Sequence, residues 1–431
     1  MKNSVKYFGI ALLVFLGFQM QAQQRDLDNM RPLDKRGINI FEAPKDTVST
    51  FDGVRVRVGG ASTIQFQALD HESKGQWTDA EGLPLELIEI GPNFNLPTAN
   101  LDLDVALAPG LRMHLRTYLS SRHHPEPYVK DGYIQIDGMD FISEDFMGDL
   151  MDNVTIKIGH MEQNYGDAHF RRSDNAQTIH NPFVGNLIMD AFTTEVGAEV
   201  YYQNSGFLLM GGATNGKLNQ SVSNPAANGV SWLGKVGYDN GNFVDADALR
   251  FRLTGSVYHT SQVPNSYLYG ADRAGSRYYL VMEQTGASPV AQFTSARYNP
   301  AFGNEVTAFM VNPFVKFGGI EFFGTYEIAS GKRSTQTEDR NFTQLAGELI
   351  YRFGADENFY VGGRYNTVSG DDVSGVEIDI NRLQIAGGWF LTKNVLAKVE
   401  YVNQSYDGFR ANSRFHEGSF NGLVVEAAIS F

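Results

Sequence analysis

The stretch 421–431, "NGLVVEAAISF", decides the fold. Leu423, Val425, Ala427, Ile429 and Phe431 make one set of alternate positions wholly apolar, while Val424, Glu426, Ala428 and Ser430 between them are mixed. A period of two belongs to a strand whose two faces meet different surroundings. A final half-buried strand of a soluble domain has the same pattern, so the far end of the chain matters. There "MKNSVKYFGIALLVFLGFQMQA" places Lys2 and Lys6 ahead of an apolar run, Phe8 to Phe18, with Ala22 as a cleavage position. That run is shorter than the roughly 18 residues of a helical membrane span, so residues 1–22 are expected to be an export signal.

Composition narrows the class. The chain has 431 residues with 45 Gly, 30 Phe and 20 Tyr but only 14 Pro, and beyond the signal no long uncharged apolar stretch occurs. No proline-rich, serine-rich or charge-run linker divides it, although its length would ordinarily mean several domains. The absence of cysteine leaves an exported chain without disulfides. A formal charge of −14 argues against nucleic acid as a partner.

Alternating segments recur along the whole chain. "VRVRV" sets Arg55 and Arg57 opposite Val54, Val56 and Val58, and "LDLDVAL" sets Asp102 and Asp104 opposite Leu101, Leu103 and Val105. "LRMHLRTYL" turns Arg112, His114 and Arg116 away from Leu111, Met113 and Leu115; "LRFRL" and "NRLQI" repeat the device with Arg250, Arg252, Arg382 and Gln384. Connectors alternate in length. Short ones fall at 108–110, 203–206, 239–247, 317–319, 355–358 and 392–394, with a moderate one at 138–152 expected to hold one helical turn. Long ones fall at about 68–96, 121–128, 163–190, 215–228, 262–303, 331–340, 370–378 and 407–418.

Up-and-down strands with short turns at one end and long loops at the other describe an all-β, transmembrane antiparallel β-barrel of the outer membrane, with about 16 strands. Counting "RYYLVMEQ" at 277–284 as strand raises this to 18; the reading preferred leaves it in a loop. Closure is required because open edges cannot satisfy their backbone groups in hydrocarbon. The expected layout is a signal at 1–22, a short periplasmic N-terminal segment at 23–52 and a barrel at 53–431, with periplasmic turns and extracellular loops. Phe431 is then the periplasmic-end aromatic of the last lipid-facing strand, and barrels of this class resemble one another in ending so, on a residue that the outer-membrane assembly machinery reads.

The inward register puts Lys157, Lys235, Lys316, Arg352, Arg364 and Lys398 beside the arginines above, against Asp102, Asp104, Glu195, Glu199, Glu321, Glu327, Glu348, Glu400 and Glu426. A mixed wall suits a water-filled channel whose charges bias ion passage. Two readings stay open: the charges pair across strands, or they form a basic track for anions.

"YIQIDGMDF…VTIKIGHMEQNYGDAHFRRSDN" resembles the corresponding stretch of the phosphate-selective porin (O and P type) family, at Tyr133, Ile134, Ile136, Ile156, Lys157, Ile158, Gly159 and Gly166. The resemblance implies a porin, a homotrimer, and a third loop folded into the pore. That loop is 163–190, carrying Asp167, His169, Arg171, Arg172 and Asp174. No lysine-rich run is visible, so a general, weakly anion-preferring pore for small hydrophilic solutes is expected rather than a phosphate site. The pore-lining candidates are Arg55, Arg57, Arg112, Arg116, Lys157, Asp167, His169, Arg171, Arg172, Arg250, Arg252 and Arg382.

Rival functions find less in the residues. Gly-x-Ser-x-Gly, His-Glu-x-x-His, P-loop and Rossmann patterns are all missing, so no enzyme, cofactor or metal is expected. His123 and His124 near Glu126 lack a third ligand, and Asp371 with Asp372 lacks calcium-loop spacing. A structural or adhesive barrel, and less so a barrel hydrolase, are the alternatives.

Overall fold

A computed structural model describes residues 26–46, 48–119, 127–218, 222–223, 228–245, 248–270, 279–287 and 296–431. The expected signal at 1–22 and the histidines of loop 121–128 lie outside these residues.

Sixteen antiparallel strands close into one barrel in which each strand pairs with its neighbours in sequence and the last pairs with the first. They are β1 (Arg55–Glu72), β2 (Asn93–Ala108), β3 (Leu111–Leu119), β4 (Tyr128–Ile136), β5 (Val154–Glu162), β6 (Thr194–Asn204), β7 (Phe207–Thr214) and β8 (Ser231–Asp239). The second half comprises β9 (Arg250–Thr260), β10 (Glu305–Phe317), β11 (Ile320–Lys332), β12 (Arg340–Phe353), β13 (Phe359–Asp371), β14 (Glu377–Thr392), β15 (Val395–Asp407) and β16 (Gly418–Ser430). A small hairpin, Trp77–Thr78 with Pro84–Leu85, sits apart in the first long loop. Among the described residues the count is 16: residues 279–284 run as loop, and their β-pairing is an isolated bridge from Gln284 to Leu87.

The alternation works as the sequence implies. Leu423, Val425 and Phe431 are exposed on the outer face, while Val424, Glu426 and Ser430 are buried inside. The same holds for Val54, Val56 and Val58 outside, and for Leu249, Phe251 and Leu253. Short turns use the residues their geometry needs. At Ser205–Gly206 both φ angles are positive, +49° and +86°, the condition of a type I′ hairpin. The connector at 137–153 holds one helical turn, Gly148–Met151. Near the short-turn rim, Phe353, Phe359 and Trp389 stack in sequence at 5.8 Å centroid spacing across β12, β13 and β14. Such stacked, outward rings are the interfacial girdle of an outer-membrane barrel.

The interior departs from a simple wet lumen. Towards the long-loop rim, inward Phe342, Val368, Ile380, Val402 and Val424 pack against Tyr165, Val184, Ile188 and Met189 of the loop 163–193 and against Leu268, Val281 and Met282 of the loop 261–304. A chain rich in Phe and Tyr must bury rings somewhere, and two inward-folded loops provide an apolar core inside the barrel. Charged side chains gather in the other half, towards the short turns.

Candidate functional site

The site is the charged half of the lumen. Two segments enter it. Loop 163–193 leaves β5, crosses the barrel and returns at β6; apart from half-buried Ala168, Phe170, Gln177 and Ala191 its residues are buried, including Asp167, Arg171, Arg172, Asp174 and His180. It is tied to the far wall by backbone contacts. The amide of Val184 donates to Glu400 Oε2 at 2.7 Å, that of Ile188 to Asn366 Oδ1 at 2.7 Å, and that of Met189 to Gln344 Oε1 at 2.9 Å. Lys398 Nζ donates to the carbonyl of Phe183 at 2.9 Å. Each bond satisfies a backbone group that irregular chain would otherwise leave buried and unpaired.

The second segment corrects an expectation. Residues 23–52 were expected to lie in the periplasm, yet 26–46, the described part before residue 47, turns into the barrel from its short-turn end. Leu33, Asp34, Asn39 and Phe41 are buried. Lys45 Nζ reaches the carbonyls of Asp137 and Val154 at the rim, both at 2.9 Å. Deeper in, Arg31 donates to Gln177 Oε1 at 2.7 Å and to the carbonyl of Phe170 at 3.1 Å, both on the pore loop. Asn39 Nδ2 donates to Glu321 Oε2 at 2.7 Å. The Phe41 ring lies among Phe170, Phe314 and Phe323, with centroids at 5.9, 5.5 and 6.5 Å. The physical reason is burial: one apolar ring and a few hydrogen-bonding side chains find partners in the lumen that water would not replace.

Two small cavities lie among the described residues. A cavity of about 130 Å³ lies between the β2–β6 wall, the N-terminal segment and the pore loop. Arg31, Arg112, Arg116, Lys157, His114 and His169 line it, together with Glu42, Asp104, Asp131 and Glu162. A second, about 180 Å³, sits at the short-turn mouth and is lined by Lys35, Arg250, Lys316 and Arg352 against Glu357.

The predicted residues separate into groups. Arg116 grips Asp102 with two bonds of 2.7 Å and donates to the carbonyl of Asn175 at 2.7 Å. Arg112 pairs with Asp104 at 2.9 Å, and His114 Nδ1 lies 2.8 Å from the same carboxylate. Lys157 belongs to the same wall; its ammonium stands over the rings of Tyr133 and Tyr201, at 5.6 and 5.1 Å. Arg171 is buried with Glu321 at 2.6 Å and Glu348 at 3.1 Å, and Arg172 with Asp190 at 2.8 Å and Asp174 at 3.2 Å. Arg382 is held by neutral oxygens of Gln404, Asn186 and Ala296. Arg250 pairs with Asp239 at the mouth; Arg55 and Arg57 sit beside Asp52 and Asp104. His169 Nε2 lies 3.0 Å from Asn164 Oδ1.

A four-charge centre joins wall, loop and segment. Asp167 of the loop lies 2.8 Å from Arg252 and 2.6 Å from Lys235, and Glu42 of the segment lies 2.7 Å from Arg252 and 3.0 Å from Lys235. Burial opposes the Glu42 charge, but Arg252 and Lys235 hold its carboxyl down at about 2. Burial pulls the Arg31 guanidinium down to about 9. It pushes the His180 imidazole well below its ordinary range, aided by Arg31 and Arg171, so His180 is neutral. Arg31 and Glu42 were missed by the sequence reading: the segment has no periodicity that would mark either as inward.

Closed, apolar-belted and wet only in part, the chain is an outer-membrane β-barrel. No protein-family profile and no curated protein sequence matches it. Solved structures do. OmpT of Vibrio cholerae, expressed in the outer membrane, has a TM-score of 0.51 at 12% identity, covering 89% of this chain and 99% of its own. The outer membrane channel DcaP of Acinetobacter baumannii gives 0.53 at 11%, covering 88% and 98%. The anion-selective porin from Comamonas acidovorans gives 0.52 at 12%, covering 88% and 100%. The likeness is one of fold.

Proposed function

We propose that the barrel is a porin, a passive channel for small hydrophilic solutes with a weak preference for anions. The observation that carries this reading is the cavity wall on β3–β5, where Lys157 joins Arg112 and Arg116 and faces the open space beside aromatic rings rather than a carboxylate. Most other lumenal cations are neutralised by a partner, so selectivity rests on few charges and is weak. A channel of this kind needs no catalytic residue, cofactor or metal. The resemblance to phosphate-selective porins supports the channel rather than the solute, since the lining is mixed. A homotrimer fits the same reading, and one structure similar to this chain, OmpT of Vibrio cholerae, was solved in a trimer form.

Planar-bilayer recording in a salt gradient tests it. The expected result is ohmic conductance with a reversal potential on the anion side, moved towards cations by Lys157→Glu. A folded barrel without conductance favours the adhesive or structural alternative, and a reversal potential unmoved by Lys157→Glu removes the assigned filter.

A further inference from the structure

The four-charge centre has an asymmetry. Its two cations, Lys235 on β8 and Arg252 on β9, belong to the wall, and Asp167 belongs to the pore loop. Glu42, by contrast, arrives on the irregular segment that precedes β1. Arg252 also lies 3.6 Å from Asp239, a carboxylate it shares with Arg250, so with Glu42 in place the three cations Lys235, Arg252 and Arg250 face the three carboxylates Asp167, Asp239 and Glu42, and without it they face two. The wall and loop alone thus leave one buried positive charge uncompensated, which is costly unless an anion takes the place.

Glu42 is held the way a ligand would be. One oxygen meets Arg252 Nη2 at 2.7 Å; the other meets Lys235 at 3.0 Å and Asn164 Nδ2 at 3.4 Å. Next to it the Phe41 ring fills the hollow of Phe170, Phe314 and Phe323, with the Arg252 guanidinium 4.4 Å from its centroid. Carboxylate and ring together form one plug, and the receptor for both is the pore itself.

We propose that residues 26–46 are a removable plug that closes the pore from the short-turn end, and that Glu42 and Phe41 occupy a binding site for an organic carboxylate bearing an aromatic or comparable apolar group. The proposal deepens the porin reading and rests on it. Withdrawal of the segment opens the lumen and exposes Arg252, Lys235 and Asn164 to a passing solute. A solute of that class competes with Glu42 for the same two cations, so it both enters the site and keeps the plug out.

The test compares three proteins whose folding is checked by their mobility on unboiled gels: the full chain, a deletion of 26–46, and the full-length double variant Phe41→Ala with Glu42→Gln. Single-channel conductance is read without and with phenylacetate, using inorganic phosphate as the comparison anion. The expected result is a severalfold rise in conductance or open time in both variants, and concentration-dependent block of the deletion by phenylacetate at levels where phosphate has little effect. Arg252→Gln in the deletion background should abolish that block. Equal conductance in all three proteins overturns the plug while leaving the porin reading intact. Three folded but silent proteins overturn the porin reading itself. Block by phosphate as strong as by phenylacetate overturns the carboxylate-and-ring site.

Discussion

The amide of Phe431 donates to the carbonyl of Gly60, and the amide of Gly60 donates back to the carbonyl of Phe431, both at 3.0 Å. This pair continues the β1–β16 ladder beyond Ala61 and Ser430 and fastens the seam at which the barrel closes. A side chain at position 60 would meet the carbonyl of Asn100 at 2.5 Å, so glycine is what lets β2 approach from the other side. The Phe431 ring itself is about half exposed, on the outer surface.

Phe431→Ala keeps both backbone bonds and removes only the ring. Its loss should cost on the order of 1–2 kcal/mol by area, little for so extensive a ladder. Barrel refolded in detergent should therefore retain its unboiled gel mobility, while the amount inserted in cells falls, as expected of an assembly signal. Normal insertion in cells would show that the terminal ring is not read.

Gly60→Leu acts on the seam instead. It drives a branched side chain against the Asn100 carbonyl and the Phe431 ring, so overpacking of about 1–3 kcal/mol falls on the closing strands. The unboiled form should be lost at a lower temperature than in Phe431→Ala. The reverse order would place the weight of closure in the ring.

Charge reversal in the pore loop tests pairing against a free basic track. Arg171 and Arg172 are buried and each meets two carboxylates, so Arg171→Glu with Arg172→Glu packs acids against acids. Breaking a buried pair costs about 3–5 kcal/mol where a charge is left unmatched. Here Glu321 keeps Arg352 and Glu348 keeps Arg364, which softens the loss at position 171. Asp190 keeps Asn186 Nδ2 at 3.3 Å, and Asp174 keeps Lys130 at 3.0 Å. The double variant should release the loop to added protease at concentrations that leave the parent intact. A protease-resistant double variant with a clean shift of reversal potential would instead show that both arginines face the ion path.

Much of this was legible because a strand between lipid and lumen writes its two faces into alternate residues. "LRMHLRTYL" and "NGLVVEAAISF" each assign every side chain to one face, and the short connectors mark the turns between them. The same rule inverts around Ile378, Ile380 and Phe420, where the apolar positions face inward onto loop residues and the alternate positions, Glu377, Asp379, Asn381, Ser419 and Asn421, are polar and less buried. It fails for pairing. Arg112 and Arg171 are both inward arginines, yet one borders a cavity and the other is enclosed, because tertiary neighbours decide this and not spacing. The entry of Phe41 and Glu42 into the lumen left no trace in the sequence, since a segment without regular structure has no period to read.

The contact between segment and pore loop should respond to acid in two steps. His180 Nε2 lies 3.1 Å from the carbonyl of Asp34, with Gln177 at its other nitrogen and Arg31 and Arg171 as the charges that face it. Its value in the docked state is well below the ordinary 6.5. Withdrawal of the segment uncovers the ring to water and removes Arg31, so the value returns upward, the withdrawn state binds more protons, and docking weakens as pH falls through about 6.5. Glu42 acts in the same direction lower down: its docked value is about 2 against an ordinary 4.5, so its contribution is complete above 4.5 and is lost towards 2. Between pH 7 and 5 the full chain should therefore pass more current as acid is added, and His180→Gln, whose amide can still donate to Asp34, should be flat over that window. Below 4.5 both should open further, and Glu42→Gln should lack this second step. A full chain whose conductance does not change from pH 7 to 5 would show that His180 stays covered whether or not the segment is in place.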